Sequence, residues 1–112
     1  MLTEKDYCDY ETAFGLIALG YPGSALVLLY SAQKWLREEK KIDVMVQLDT
    51  KDIHLSSKYY SIYISYMSRF RREFSYILQN FDSYEEALSE GVKCAVKILK
   101  EKQYGARING SV

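Results

Sequence analysis

Apolar positions repeat with a helical period near both ends of the chain and with a two-residue period in its middle. Tyr10, Ala13, Phe14 and Ile17 recur at helical spacing with Leu16 beside them, Asp9 stands where an N-cap belongs and Gly20 where a helix stops. This predicts a first helix of about three turns. Beyond Gly20-Tyr21-Pro22-Gly23-Ser24, a stripe of Leu28, Leu29, Ala32, Trp35 and Leu36, with charges gathered from Lys34 to Lys41, predicts a second amphipathic helix. Its start is open, because Leu26 to Tyr30 also reads as a buried strand.

Alternation then takes over. Val44, Val46 and Leu48 alternate with Asp43, Met45 and Gln47, the period of a strand with one face on a core. After a loop from Asp49 to Ser57, Tyr60, Ile62, Ile64 and Tyr66 share one face of a second strand, and Tyr59, Ser61, Tyr63 and Ser65 share the other. Ser68 to Arg71 links it to a third run, in which Phe74, Tyr76 and Leu78 stand opposite Glu73, Ser75, Ile77 and Gln79.

Ser83 with Glu86 three residues on is a capping box, so a closing helix begins there. Ala87, Leu88, Gly91, Ala95, Ile98 and Leu99 line one side of it, with acids leading and lysines trailing as the helix dipole prefers. The expected fold is α+β in the order α-α-β-β-β-α, with the helices on one face of a three-stranded antiparallel sheet. Residues 1–102 form one domain, and 103–112, with two glycines and little periodicity, read as a flexible tail.

With 112 residues and 48% hydrophobic content, the chain can build one core without metal or disulfide support. Fifteen basic residues balance fifteen acidic ones, so no net field draws it to nucleic acid or an anionic membrane. Thr12 to Gln33 holds no charge, yet the Pro-Gly turn splits it into apolar halves too short to cross a bilayer of about 30 Å. The acidic start, Met1-Leu2-Thr3-Glu4-Lys5-Asp6, is unlike a secretory signal, and the expectation is a cytoplasmic protein. Cys8 and Cys94 are far apart, in no C-x-x-C pair, and are expected as free thiols.

Eleven tyrosines are the compositional oddity, and several fall on the predicted sheet. If helices cover one face, the other shows Tyr59 and Tyr63 to solvent, and tyrosine is favoured at interfaces. They are the candidate contact residues for a protein partner or for self-association; simple cross-strand aromatic pairing is the plainer explanation. Lys58, Arg69, Arg71 and Arg72 form the alternative set, a basic group able to touch phosphate or simply a solvated hairpin tip.

The helix-strands-helix order resembles a double-stranded RNA-binding domain, but Asp82-Ser83-Tyr84-Glu85-Glu86 puts acids where such domains hold phosphate with lysines. The three strands and helix are also similar to AP2 and integrase-arm sheets, whose Arg and Trp readers are here mostly Tyr and Ser. His54 is alone in a polar loop, with no paired nucleophile, glycine-rich phosphate loop or metal-ligand spacing. The reading is a non-catalytic protein, with no cofactor, metal or small-molecule substrate.

Ala32-Gln33-Lys34-Trp35-Leu36-Arg37-Glu38-Glu39-Lys40, followed by Ile42 and a strand, and Ser83-Tyr84-Glu85-Glu86-Ala87-Leu88 carry a resemblance. From Glu11 to about Lys100 the chain resembles short proteins of gut Bacteroidales found among phage and mobile-element genes. The resemblance implies a cytoplasmic accessory protein and supplies no activity, cofactor or functional residue.

Overall fold

A computed structural model describes the backbone of residues 2–24, 26–50, 58–67, 71–81 and 83–110; side chains at 49–50, 58–59, 75–80 and 103–110 lie outside that description. After a 3-10 turn at Glu4–Asp6, the order is α1 (Tyr10–Ala18), α2 (Leu29–Glu39), β1 (Ile42–Thr50), β2 (Lys58–Met67), β3 (Arg72–Phe81) and α3 (Tyr84–Gly110). The strands form one antiparallel sheet with β2 in the centre. This is the expected α-α-β-β-β-α architecture.

Local chemistry sets the helix ends. The amide of Thr12 donates to the Asp9 carboxylate at 2.7 Å, capping α1. At the other end Gly20, with φ 106°, lets its own amide reach the Ile17 carbonyl and the Tyr21 amide reach that of Leu16, both at 3.0 Å. That pair of bonds is a Schellman stop, and it needs the left-handed residue that glycine supplies. In α3 the Glu86 amide donates to Ser83 Oγ at 3.1 Å, one half of the predicted box.

The open question at Leu26–Tyr30 resolves into both answers. The Cys8 amide donates to the Val27 carbonyl at 2.8 Å, and Tyr7 and Leu28 form an antiparallel bridge, so this stretch is extended up to Leu28 and helical from Leu29. The bridge holds the N-terminal segment against the entry to α2.

The core lies between the sheet and the helices on one of its sides. Ile42, Val44, Ile62 and Ile64 meet Leu29, Ala32 and Leu36 of α2 and Ala87, Leu88, Val92 and Ala95 of α3, all with no exposed surface. At Gly91 the α3 backbone approaches so closely that a Cβ would lie 2.5 Å from Val44 Cγ1 and 3.0 Å from Ile62 Cγ2. Gln33 Nε2 donates to the Val44 carbonyl at 2.6 Å and ties α2 to β1. Trp35 packs edge-on to Tyr21, ring centres 5.4 Å apart.

One sequence expectation is corrected. The predicted core stripe of α1 included Tyr10 and Phe14, yet these are 69% and 59% exposed, and the buried face is Thr12, Ala13, Gly15 and Leu16. The cause is the partner: α1 packs on α3, with Gly15 against Val96, and this close contact selects small side chains over aromatic ones. Helix α3 runs on through Gln103 to Gly110. Lys102 supplies an anchor that the apolar pattern does not register: its Nζ donates to the Met67 carbonyl at 2.7 Å and sits 4.7 Å from the centre of the Tyr66 ring.

Among the described residues, no helix is long and apolar enough to cross a membrane. Cys8 and Cys94 are both free thiols. Burial, and then the neighbouring Asp9 carboxylate, push the Cys8 thiol up to about 12, so it stays protonated at neutral pH.

Candidate functional site, the uncovered sheet face

The pleat sends alternate residues of each strand to opposite sides, and the register decides which ones meet. Asp43 pairs with Ser65, Met45 with Tyr63 and Gln47 with Ser61; across the other side of β2, Ser65 pairs with Phe74 and Met67 with Arg72. These residues share the side turned away from α2 and α3. Tyr60 and Tyr66 point the other way, packed against the core.

The result is a surface with relief. Met45, Met67 and Phe74 stand out at 39%, 47% and 56% exposure, while Ser61 and Ser65 lie at 0% and 3% beneath them. Tyr63 is half-buried, its ring tilted against Phe74 with centres 5.4 Å apart. Met45, Val46, Gln47 and Tyr63 line a shallow hollow of ≈ 470 Å³. The face thus combines the exposed side chains of Met45, Met67 and Phe74 with a concavity bordered by β1 and Tyr63.

Polar groups close one end of it. Arg72 Nη1 donates to Ser65 Oγ at 2.6 Å, which lays the guanidinium back along the face to the row shared by Asp43 and Ser65. A fork of N–H donors held flat in this way remains open to a carboxylate from above.

Tyr63 therefore lies where the sequence predicts, although it is half-buried rather than fully displayed. Tyr59 occupies the same side by register, opposite Asp49, and its side chain lies outside the described residues. The basic set is not one cluster. Lys58 and Met67 are the two ends of β2, about 30 Å apart at some 3.3 Å per residue, so Lys58 is remote from the arginine turn. Arg71 Nε pairs with Glu73 Oε1 at 3.0 Å, whereas Arg72 turns to the opposite side of the strand. Arg69 and His54 lie outside the described residues. The strand-to-helix junction keeps its acids, Glu85 and Glu86, in the first turn of α3.

Met45, Met67 and Phe74 are the contact candidates that sequence reasoning missed. A signal was present: Met45 alternates with Val44 and Val46 at a position where a solvated strand face carries polar side chains, and Phe74 lies two residues after Arg72 on the same face.

A second uncovered region lies beside the N-terminal segment and the start of α1. Leu2, Tyr10 and Leu26, together with Glu4 and Asp9, help line a trough of ≈ 640 Å³, and Phe14 stacks on Tyr10 at 6.5 Å. One wall of it is the N-terminal segment held by the Tyr7–Leu28 bridge, whereas the sheet face is fixed by strand pairing along its length.

Among the described residues no group of three or more His, Cys, Asp and Glu side chains could hold a metal ion. No family model, curated protein or solved structure matches this chain.

Proposed function

We propose that this protein is a non-catalytic binding module whose uncovered sheet face docks on another protein surface. One observation carries the reading: the helices take one side of the sheet, and the other side presents Met45, Tyr63, Met67 and Phe74 with no element of the described chain over them. Aromatic and methionine side chains supply large contact areas for little conformational cost, which is why they are enriched in interface centres. The balanced net charge fits a protein partner better than a polyanion. An accessory role of the kind implied by the resemblance to mobile-element proteins, in the cytoplasm, accords with this reading.

Affinity capture tests it. The chain and its Phe74→Asp variant, both shown to be folded by circular dichroism, are used as bait in the same extract. A protein retained by the parent and lost from the variant is the expected result. Retention unchanged by Phe74→Asp, and by Tyr63→Ser in a second variant, would place binding elsewhere and sink the proposal.

A further inference from the structure

We infer that the occupant of the open sheet face is the same face of a second copy of this chain, related by a two-fold axis parallel to β2. The inference rests on the reading of that face as a protein-binding surface and names its partner. Its basis is that the two edges of the face differ in chemistry and complement each other.

The β1 edge presents Asp43, Met45 and Gln47, and the β3 edge presents Arg72 and Phe74. A two-fold axis lying between two stacked sheets and parallel to the central strand carries β1 of one copy over β3 of the other. It leaves each residue at its own height along the strands. Acid then meets base twice. Asp43 of the other copy comes over the Ser65–Phe74 row, beside Phe74, and the Arg72 guanidinium, which reaches back to Ser65 Oγ 2.6 Å away, lies next to it in that row. Met45 lies one pleat from the Ser65–Phe74 row, so its thioether falls beside the aromatic ridge of the facing sheet. An axis across the strands would exchange the two ends of the face and leave both charges without these partners. The self-complementary arrangement is the isologous one that closed dimers require.

Size sets the affinity. Three strands about 4.8 Å apart and about 30 Å long, with their side chains, give a face of roughly 500 Å² in plan. Two copies bury on the order of 1,000 Å², the lower bound for a specific interface, so dissociation in the micromolar range is expected. The assembly is a four-layer sandwich with helices outside and paired sheets within, the aligned packing that twisted sheets adopt.

The test is light scattering or sedimentation velocity over roughly 1 to 200 micromolar protein. The parent chain should rise from 13.0 kDa towards twice that mass. Asp43→Arg and Arg72→Asp should each weaken association by about tenfold or more, since like charges then face each other twice. An equimolar mixture of the two variants should recover a dimer. The arginine introduced at position 43 of one copy then opposes the aspartate introduced at position 72 of the other, and the native Arg72 of the first opposes the native Asp43 of the second. That recovery also shows that both variants are folded. A parent chain that stays at 13.0 kDa throughout overturns the inference but leaves the capture experiment to judge the face itself. Dimers abolished by Phe74→Asp but indifferent to the charge exchanges retain the face and overturn the proposed axis. Dimers that survive Phe74→Asp overturn both.

Discussion

Replacing Gly91 with alanine sets two effects of known sign against each other. In an unobstructed helix interior the change gains about 1 kcal/mol, because alanine loses less backbone entropy than glycine. Here the new methyl would lie 2.5 Å from Val44 Cγ1 and 3.0 Å from Ile62 Cγ2. Carbon atoms pack best at about 3.5 to 4.0 Å, so α3 must lift from the sheet by about 1 Å or the β-branched side chains must leave their rotamers. Both neighbours are fully buried, as are Leu88 and Val92, which would lose contact if the helix moved. Overpacking of this kind costs about 1 to 3 kcal/mol, and a methyl fixed to the backbone belongs at the upper end. The expected net effect is a loss of about 2 kcal/mol. Urea unfolding followed by Trp35 fluorescence and by circular dichroism would read it as a lower midpoint at unchanged slope. Removing the obstacle sharpens the test: in a Val44→Ala background the cost should shrink by about 1 kcal/mol or more, a coupling that independent sites do not show. Gly15→Ala meets a similar obstacle, since its new methyl would lie 2.8 Å from Cγ1 of the buried Val96, and it too should destabilise the fold. A Gly91→Ala variant more stable than the parent, or a cycle additive within about 0.5 kcal/mol, would refute the close-approach argument.

Two further outcomes follow from the helix ends. The Asp9 carboxyl is held below the ordinary carboxylate range, first by hydrogen bonding to Thr12 and then by Lys93, 3.4 Å away. Its contribution is therefore complete above about pH 4 and is lost as the pH falls through the lower folded value. Asp9→Ala should cost about 1 kcal/mol at about pH 7, and the gap from the parent should close on acidification; a gap constant down to about pH 2 would contradict the cap. Lys41 has φ 57° directly after α2, a left-handed conformation that costs a side-chain-bearing residue about 1 to 2 kcal/mol. Lys41→Gly should raise the thermal midpoint, with a net gain of about 0.5 to 1 kcal/mol after its greater unfolded-state entropy is counted; a fall would show that the Lys41 Nζ bond to the Glu38 carbonyl, at 2.8 Å, outweighs the relief.

The architecture was legible because each level of the pattern points the same way. Asp9 and Ser83 mark helix starts, Gly20 marks a stop, and the change of period from helical to two-residue occurs between Leu36 and Val44, where α2 gives way to β1. Periodicity failed where the neighbour, rather than the element, decides which face is buried. Helix α1 has apolar side chains on more than one side, and sequence alone favours the larger ones, but its contact with α3 accepts Ala13 and Gly15 and leaves Phe14 in solvent. Alternation likewise assigns Tyr63 to its face without showing that Phe74 on the next strand covers part of its ring, because that contact depends on a register between strands separated by a turn. The basic set illustrates the converse: Lys58 and Arg71 look like members of one charge group in composition, yet a strand of ten residues places them at opposite ends of the sheet.

The open face also bears on why the sheet has this sequence at all. A central strand that merely met water would need long polar side chains at 61, 63 and 65 to shield its neighbours. β2 instead carries Ser61 and Ser65, short enough to sink to 0% and 3% exposure between flanking residues, with Tyr63 between them. The outer strands supply the height, through Met45 on one side and Phe74 on the other. Ser65 Oγ accepts a hydrogen bond from Arg72 and so orients its guanidinium along the face. Solubility alone would not select this combination: it leaves apolar area uncovered in the middle of a sheet, where uncovered area favours association. The helix side is closed as tightly as Gly91 permits, whereas the opposite side leaves Met45, Met67 and Phe74 exposed.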